Sequence, residues 1–483
     1  MKLSVLIPVY NRREALGRCL AALTRQTLPR REFEVVVGDD GSDDQPEALA
    51  DAFRSSLDLR FVRTPHRNRA AALNAAFHAS SGDVVVFTDS DMLPTPTLLE
   101  RHRDFHRRDP RPHAALLGYM DWAPSLTPTR FMRYIVGPTA WQFGYGMLVD
   151  GERAPWGHFY GGNTSAKRAF VAASGLHDDS LSRAEDIELG YRLARAGMEL
   201  VYDAAAVNYH DHHVTVGAFA RRNRAVGRAF VQIAQRHPEL VVMLPLFEGA
   251  AFAREAERRG RTLEALVARA EAIDREAPVL PDETAVFKLY DLILWLSLGQ
   301  GVREALHEGF AQSDTPATVI VPGGGTAAPI APRIRDRLAA LERLGWEFLV
   351  VQTDFGPATR CGRLACYAAA AQARGRQLCF VQRDDLDAER VVALVEASAR
   401  DPQAGLVIQR TGRGRDAIAI PRPLFFECRG FAAEGGDHAL GWRLAERVRL
   451  LGYAPRELAP EAPAAATTSA AAPPRAEAPA GAA

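Results

Sequence analysis

Lysine is nearly missing from this chain, occurring only at positions 2, 167 and 288, so arginine supplies almost all of the positive charge. Lysine and arginine together number 59, as do aspartate and glutamate, and neither sign is in excess. No global field therefore draws the chain to nucleic acid or to an anionic membrane, and any such preference has to sit in a local patch. Cysteine is scarce: the five residues at 19, 361, 366, 379 and 428 form no CxxC pair, and their number is odd. That argues against a disulfide framework and a cysteine zinc site, and it suits a reducing cytosol. No uninterrupted apolar run reaches the roughly eighteen residues of a membrane helix. LYDLILWLSLG (289–299) comes nearest and is expected as a buried helix. The apolar start breaks at Pro8 and runs into charges without a small-residue cleavage site, which reads as a strand rather than a signal peptide.

What is present describes a globular protein of 483 residues, 47% hydrophobic and 24% charged, long enough for two or three domains. LSVLIPV, EFEVVVGDD, LRFVR and DVVVFTD alternate with segments of helical period, such as Arg12 to Arg25 with apolar residues at 16, 19, 20 and 23. Val/Ile runs separated by helices predict a mostly parallel sheet covered on both faces, an α/β fold of Rossmann-like type. Ligands of such sheets bind beyond the carboxyl ends of the strands. From about Thr215 to Phe310 the pattern is helical and rich in Ala, Arg and Glu, and strand-helix alternation resumes at Ala317. The expected division is 1–214, a helical connector 215–312, a second α/β domain 313–457, and an Ala/Pro-rich tail 458–483 too poor in large apolar residues to order itself.

The second α/β stretch echoes the first. TVIVP (318–322) parallels SVLIP (4–8), WEFLVVQTD (346–354) parallels REFEVVVGD, the segment 366–402 follows the layout of 73–110, and DHALGWRLAERVRLLGY (437–453) parallels DIELGYRLARAGMELVY (186–202). Four segments in the same order imply an internal duplication.

Several strand-end motifs carry chemistry. In FTDSDM, Asp89 and Asp91 close a buried strand. Magnesium and manganese take carboxylate oxygens together with substrate phosphates, so the pair suits a metal site, or else it caps the following helix. VVVGDDGSDD places Asp39 and Asp40 where a carboxylate can meet a ribose or a base N–H, or merely shape an acidic turn. Arg67 and Arg69 precede a helix start, a suitable place for an anion. HFYGGNTSAKRAF joins Gly161, Gly162 and Asn163, which can approach and hydrogen-bond a ligand, to the stacking faces of Trp156 and Tyr160. Glu185 and Asp186 open the helix of AEDIELGYRLARAG, where capping explains one carboxylate, and two suit a general base beside a group that orients a hydroxyl. YHDHHVT offers His210, His212 and His213, any of which is a candidate to complete a metal shell.

In combination and order, SVLIPVYNR, VVVGDDGSDD, FTDSDM, FYGGNTSAKRAF and AEDIELGYRLARAG resemble family 2 glycosyltransferases of the GT-A fold, over about residues 1–215. The Gly-Gly-Asn to Glu-Asp portion also resembles the carboxyl-terminal part of galactosyl- and N-acetylgalactosaminyltransferase domains. The resemblance implies an inverting transferase taking a hexosyl or N-acetylhexosaminyl group from a nucleotide-diphosphate sugar, with UDP the expected nucleotide. The acceptor would be a hydroxyl of a glycan, a lipid-linked sugar or a protein, in surface polysaccharide or glycoconjugate synthesis. It implies Pro8, Tyr10, Asn11, Asp39 and Asp40 around the nucleoside, with Arg69, Asp89 and Ser90 completing the nucleotide-sugar site. Asp89 and Asp91 become the DxD motif, with His210 as the late ligand of Mn2+ or Mg2+ and His212 in reserve. Asp186 becomes the catalytic base, and Glu185, Trp156, Tyr160, Gly161, Gly162 and Asn163 face the acceptor. A cytoplasmic location is implied, peripheral at the inner face of the membrane if FARRNRAVGR (219–228) lies on anionic lipid rather than forming a solvated helix face.

The second copy departs from the motifs. Gln382-Arg383-Asp384 stands for Asp89-Ser90-Asp91, Gly436-Asp437 for Glu185-Asp186, and Pro322-Gly323-Gly324-Gly325 for the Pro8 turn. An arginine inside a cation site opposes the metal, so a degenerate GT-A-like domain is expected. The alternatives are a two-site polymerase, which the missing carboxylates disfavour, and a non-catalytic glycan- or nucleotide-sugar-binding protein. A nucleotidyltransferase would need a glycine- and Arg/Lys-containing loop where PVYNRRE stands.

Overall fold

Strands β1 (Leu3–Val9), β2 (Phe33–Asp39), β3 (Leu59–Arg63), β4 (Val84–Phe87), β5 (Met92–Pro94), β6 (Ala114–Trp122), β7 (Thr164–Lys167) and β8 (Glu199–His210) form one sheet in the order β3-β2-β1-β4-β7-β6-β8-β5. This is a computed structural model, and it describes residues 1–137, 141–276, 280–315, 317–324, 347–353, 369–370, 372–380, 388–401, 403, 407–410, 416–427, 448 and 455–458. β1, β2 and β4 are buried along their whole length, as their unbroken Val/Ile/Leu runs require of strands covered on both faces. Parallel pairing joins β3, β2, β1 and β4, and β8 runs parallel to β6, while β7 and β5 run against their neighbours. The sheet is thus the mostly parallel, Rossmann-like sheet of a GT-A fold.

Two helices position the site. Arg69–Ala79, rich in alanine, is capped by the Asn68 side chain, which accepts the Ala71 N–H at 3.0 Å. Glu185–Arg195 carries Glu185, Asp186 and Glu188 in its first turn and Arg192 and Arg195 in its last, the arrangement the helix dipole favours.

The described residues form two compact units, divided between Ser313 and Asp314 apart from short stretches near 370 and 427 that group with the first. The helices from 216 to 311, expected as a connector, belong to the first unit. Phe131, Tyr134 and Ile135 of the helix Arg130–Val136 share one core with Phe219, Tyr290, Ile293 and Leu294. The buried Arg130 pairs with Asp274 at 2.8 Å and Glu283 at 3.0 Å. Thr284–Gly309 is long and apolar enough to cross a membrane by composition alone, but 56% of its most apolar window is buried within the protein.

The second sheet contains β9 (Ala317–Gly324), β10 (Glu347–Thr353), β11 (Gln377–Phe380), β12 (Val407–Arg410), β13 (Asp416–Pro421) and β14 (Arg456–Leu458), in the order β10-β9-β11-β13-β12-β14. Its successive pairings are parallel, parallel, antiparallel, antiparallel and parallel. β2-β1-β4-β7-β6-β8 shows the same succession, with the strands reached in the same chain order.

A buried polar box recurs with it. In the first unit the Ser4 hydroxyl donates to Glu34 at 2.7 Å, and the N–H groups of Ser81 and Gly82 donate to Glu34 at 2.5 Å and to the Ser4 hydroxyl at 2.8 Å. In the second, the Thr318 hydroxyl donates to Glu347 at 2.6 Å, while the N–H groups of Arg374 and Gly375 donate to Glu347 at 2.7 Å and to the Thr318 hydroxyl at 2.8 Å. A Cβ on Gly82 would lie 2.6 Å from the Ser4 hydroxyl, and one on Gly375 2.6 Å from that of Thr318, so only glycine closes either box. Arg168 follows β7 and donates its N–H to Asp83 O, as Arg422 follows β13 and donates to Arg376 O. The motif positions 382–384 and 436–437 lie outside the described residues.

Burial alone would raise the Glu34 pKa, but the Ser81 N–H, the Ser4 hydroxyl and Lys2 outweigh it and hold it at about 2 against an ordinary 4.5. A depressed folded-state pKa stabilises above the unfolded value and stops doing so as pH falls through the folded one. Urea unfolding should therefore show the wild type losing stability from about pH 4.5 toward pH 2. Glu34→Gln should be about 1–3 kcal/mol less stable near neutrality and decline less steeply over that window.

Candidate active site

The carboxyl ends of β1, β2 and β4 open on one edge of the sheet, and the motif residues converge there around a single guanidinium. Arg69, at the start of its helix, donates from Nε and Nη2 to Asp89 Oδ1 at 2.9 and 2.7 Å, from Nη1 to Glu185 Oε1 at 2.6 Å, and from Nη2 to the Gly161 carbonyl at 3.1 Å. Burial would lower its pKa, but Asp89 and Glu185 outweigh that and raise it. A Cβ on Gly161 would come within 2.4 Å of Nη2, so glycine is what lets the loop close over Arg69.

Asp186, beside the buried Glu185, accepts the Gly161 N–H at 3.1 Å and stays half-exposed at the mouth of the cleft. Ala184, immediately before the helix, takes a left-handed φ of 57°, a strained conformation for a residue with a Cβ. That turn places two adjacent carboxylates at the helix start with different partners.

Asp91 is 7% exposed, and its Oδ2 accepts from the Arg12 guanidinium and faces His210 Nε2 at 3.5 Å. Burial opposes its ionisation, but His210, Arg12 and His212 prevail and hold its pKa well below the usual carboxylate range. The His210 ring is stacked on Trp122 and edged by Phe143, at centroid distances of 5.4 and 5.7 Å. The β5–β8 register sets Met92 opposite His210, which delivers the histidine to the residue beside Asp91.

Of the expected metal ligands, the structure brings two together. Asp91 and His210 meet, while Asp89 is paired with the partly exposed Arg69, which also binds Glu185. Among the described residues no three His, Cys, Asp or Glu side chains gather as a metal cluster. Arg69, expected to hold the nucleotide, is engaged by the protein's own carboxylates.

Asn163 is corrected as well. It is wholly buried, its Oδ1 lies 3.0 Å from His102 Nε2, and its Nδ2 donates to the carbonyls of Tyr119 and Ala206 at 3.0 and 2.8 Å. With its amide committed in this way, it ties β6 to β8 and has nothing to offer an acceptor. Gly161 and Gly162 are buried too, the latter's carbonyl accepting from Asn208 Nδ2 at 2.9 Å. Trp156, edge-on to Tyr191 at 5.3 Å, and Tyr160 remain partly exposed, and burial pushes the Tyr160 phenol up to about 12.

At the nucleoside end, Pro8 and Ser90 are buried. Asp39 accepts the Ser42 N–H at 2.9 Å and Arg63 at 3.3 Å, and Asp40 accepts the Arg67 N–H at 2.8 Å and pairs with His66 at 2.9 Å. These carboxylates shape the loops around the cleft. Asn11, left-handed at φ 50°, accepts the Asp43 N–H at 2.7 Å through its side chain.

Two cations escape motif reading. Arg12 neutralises Asp91 from one turn of chain beyond Pro8, and nothing in its local sequence marks it. Arg222 comes from the stretch 219–228, in which Arg224 and Arg228 pair with Glu304 and Glu308. It donates to Gln142 at 3.2 Å in the field of Asp186, Asp89 and Glu185. Only the packing of that helix within the first unit turns Arg222 toward the cleft.

Carboxylates collected at the strand ends of a mostly parallel sheet define a GT-A type domain. Residues 4–139 match the family described as Glycosyl transferase family 2, so that stretch is a family 2 glycosyltransferase domain. The chain is 28% identical over 259 residues to "Uncharacterized glycosyltransferase YfnE" of Bacillus subtilis, covering 44% of this chain and 65% of that one. It is 26% identical over 265 residues to "Chondroitin synthase" of Escherichia coli, covering 48% and 38%. The matches thus span less than two thirds of these relatives' own lengths. Among solved structures, S. aureus TarS 1–349 is similar at 18% identity and a TM-score of 0.40, over 64% of this chain and 92% of that one.

Removing the shared cation should strand the buried Glu185. Arg69→Met is expected to cost about 3–5 kcal/mol in urea unfolding. Arg69→Lys should recover only part of that, since an ammonium cannot match the fork that spans two carboxylates and a carbonyl.

Proposed function

We propose that this protein is an inverting glycosyltransferase that moves a sugar from a nucleoside-diphosphate donor to a hydroxyl acceptor. One observation carries the reading: a single guanidinium, Arg69, binds both Asp89 of the Asp-Ser-Asp motif and Glu185 of the Glu-Asp motif. The two motifs therefore face each other across one cleft, with Asp91 and Asp186 as the neighbours left for chemistry. Asp186 holds the Gly161 N–H and takes the proton of the acceptor hydroxyl as that hydroxyl attacks the anomeric carbon from the face opposite the leaving group. Glu185, paired with Arg69, orients the acceptor hydroxyl. Trp156 and Tyr160 present aromatic faces to the acceptor, which is a glycan, a lipid-linked sugar or a protein hydroxyl.

Asp91 and His210, a carboxylate oxygen and an imidazole nitrogen facing each other at 3.5 Å, are the residues that would hold a divalent cation, which would have to displace the Arg12 guanidinium from Asp91 Oδ2. Bound there, it would neutralise charge on the leaving diphosphate. Trp122 and Phe143 keep the imidazole aimed at Asp91, and Arg12 is the protein's own counter-cation for the same oxygen. Arg222 adds positive charge on the acceptor side.

The second unit is, on this reading, a copy of the same sheet that has kept its scaffold and lost its chemistry. The repeated strand succession and polar box support the common origin, and Gln382-Arg383-Asp384 in place of Asp-Ser-Asp supports the loss. A two-site polymerase would need that second set of carboxylates.

Release of nucleoside diphosphate from a panel of sugar nucleotides, with Mn2+ and with chelator, tests the reading, and no metal-dependent release from any donor would overturn it. A positioned base contributes about 10²–10⁴ in rate, so Asp186→Asn should lose at least about a hundredfold in transfer while still binding donor. Asp91→Asn should weaken the response to Mn2+. Asp384→Asn should leave transfer as in the wild type, and a large loss there would restore the polymerase.

A further inference from the structure

Asn208 is wholly buried on β8, in register with Pro94 of β5 and Met120 of β6. Its Nδ2 donates twice, to the Thr88 hydroxyl at 2.8 Å and to the Gly162 carbonyl at 2.9 Å. A carbonyl can only accept, so the nitrogen has to be the amide atom on the Gly162 side. Asn208 Oδ1 is buried too and has no hydrogen-bond partner among the described residues. Buried acceptors are rarely left unpaired, so this amide serves the fold through its two N–H groups.

The two groups it joins lie where the sheet opens into the cleft. β4 and β7 pair as far as Phe87 with Thr164. Past that rung Thr88 leads into Asp89, while Gly162 follows Gly161, whose N–H holds Asp186. A Cβ on Gly162 would meet Met120 Sδ at 2.7 Å and Asp89 Oδ2 at 3.5 Å, so this glycine lies directly against the Asp-Ser-Asp motif. Residues two apart on a strand face the same way, which puts Asn208 and His210 on one face of β8. His210 meets Asp91 and Asn208 meets Thr88, one at each end of the turn 88–91.

We propose that Asn208 is a positioning residue that sets the spacing between the Asp-Ser-Asp turn, which takes the donor's diphosphate, and the loop of Gly161 and Gly162, which holds the base Asp186. This role rests on the transfer reaction proposed for the cleft. Asp91 is held without Asn208, by the Asp211 N–H at its carbonyl, 2.8 Å away, and by the pairing of Met92 with His210. Gly161 is tied to Asp89 through Arg69, but on a long, rotamer-rich stem, whereas Asn208 is a short side chain on a buried strand. Loss of the amide should therefore leave the donor end in place and let the base drift from it. A misplacement of about 1 Å is enough to cost about a hundredfold in rate.

Mn2+-dependent release of nucleoside diphosphate from a panel of UDP- and GDP-sugars gives the turnover on the full chain, with water standing in for the acceptor at Asp186. Calorimetry with UDP or GDP and Mn2+ gives the affinity. Asn208→Ala should lower kcat for the fastest donor by about ten- to a hundredfold and leave the Kd of the matching diphosphate within about threefold of the wild type. Thr88→Val removes one acceptor and leaves Asn208 bound to Gly162, so it should lower kcat by less. The double variant should be no slower than Asn208→Ala, because both changes cut the same link. A kcat within about threefold of the wild type in Asn208→Ala overturns the positioning role, as does a loss of diphosphate affinity equal to the loss of kcat, or losses that multiply in the double variant. If Asn208→Ala does not fold, Thr88→Val decides by the same split of kcat from Kd. A wild type that releases diphosphate from no sugar nucleotide would instead overturn the transfer reading beneath it.

Discussion

The site depends on one cation shared by two anions. Arg69 reaches Asp89 from one motif and Glu185 from another, two residues far apart in the chain. Two carboxylates at the end of a buried strand and two more at a helix start would repel one another across a narrow cleft. A guanidinium has the donors and the planar fork to satisfy one of each pair at once. The remaining two, Asp91 and Asp186, are thereby separated in role as well as in partner. Gly161 is part of the same constraint, since its carbonyl completes the guanidinium shell and its N–H holds Asp186.

The other half of the cleft follows from strand pairing. β5 is three residues long, yet its register against β8 brings His210 beside Asp91, and Trp122 of β6 supplies the face on which the imidazole rests. The arrangement is fixed by backbone hydrogen bonding and aromatic packing, so it does not rely on a flexible loop for its aim. Asn163 belongs to this framework. Its buried amide joins β6 to β8 at the bulge between Gly118 and Tyr119 and so supports the histidine strand from below.

The two sheets show which features of such a fold are structural and which are chemical. Strand succession, strand direction and the Ser/Thr–Glu–Gly box at the base of the first two strands recur in both units. Glu34, buried, and Glu347, partly buried, are each held ionised by a backbone N–H, a hydroxyl and a neighbouring cation, and an unpaired carboxylate there would be costly, so both sheets keep the box. The strand-end carboxylates Asp89 and Asp91 take no part in the sheet's own hydrogen bonds and are paired instead with Arg69 and Arg12.

The α/β class is legible in the sequence because strands buried on both faces must be apolar throughout, and the repeated strand succession is legible because the spacing of the strand segments repeats. The DxD and Glu-Asp motifs, Tyr10 and His210 stand out for a related reason: strand ends and helix starts announce themselves through Gly, Asp and Asn. Local sequence carries no information about which partner a charge will take over a distance of many residues. For that reason Asp89, a metal ligand by its motif, is bound instead by Arg69, and Asn163, an acceptor contact by its loop, is buried. Arg12 and Arg222 carry no local mark as site residues, and the helical segment after residue 215 has the pattern of a connector although it shares a core with Phe131 and Tyr134. Periodicity and burial, which depend on neighbours in the chain, were decided by the sequence itself; the pairing of charges and rings across the cleft was decided only when the sheet and its helices closed around Arg69.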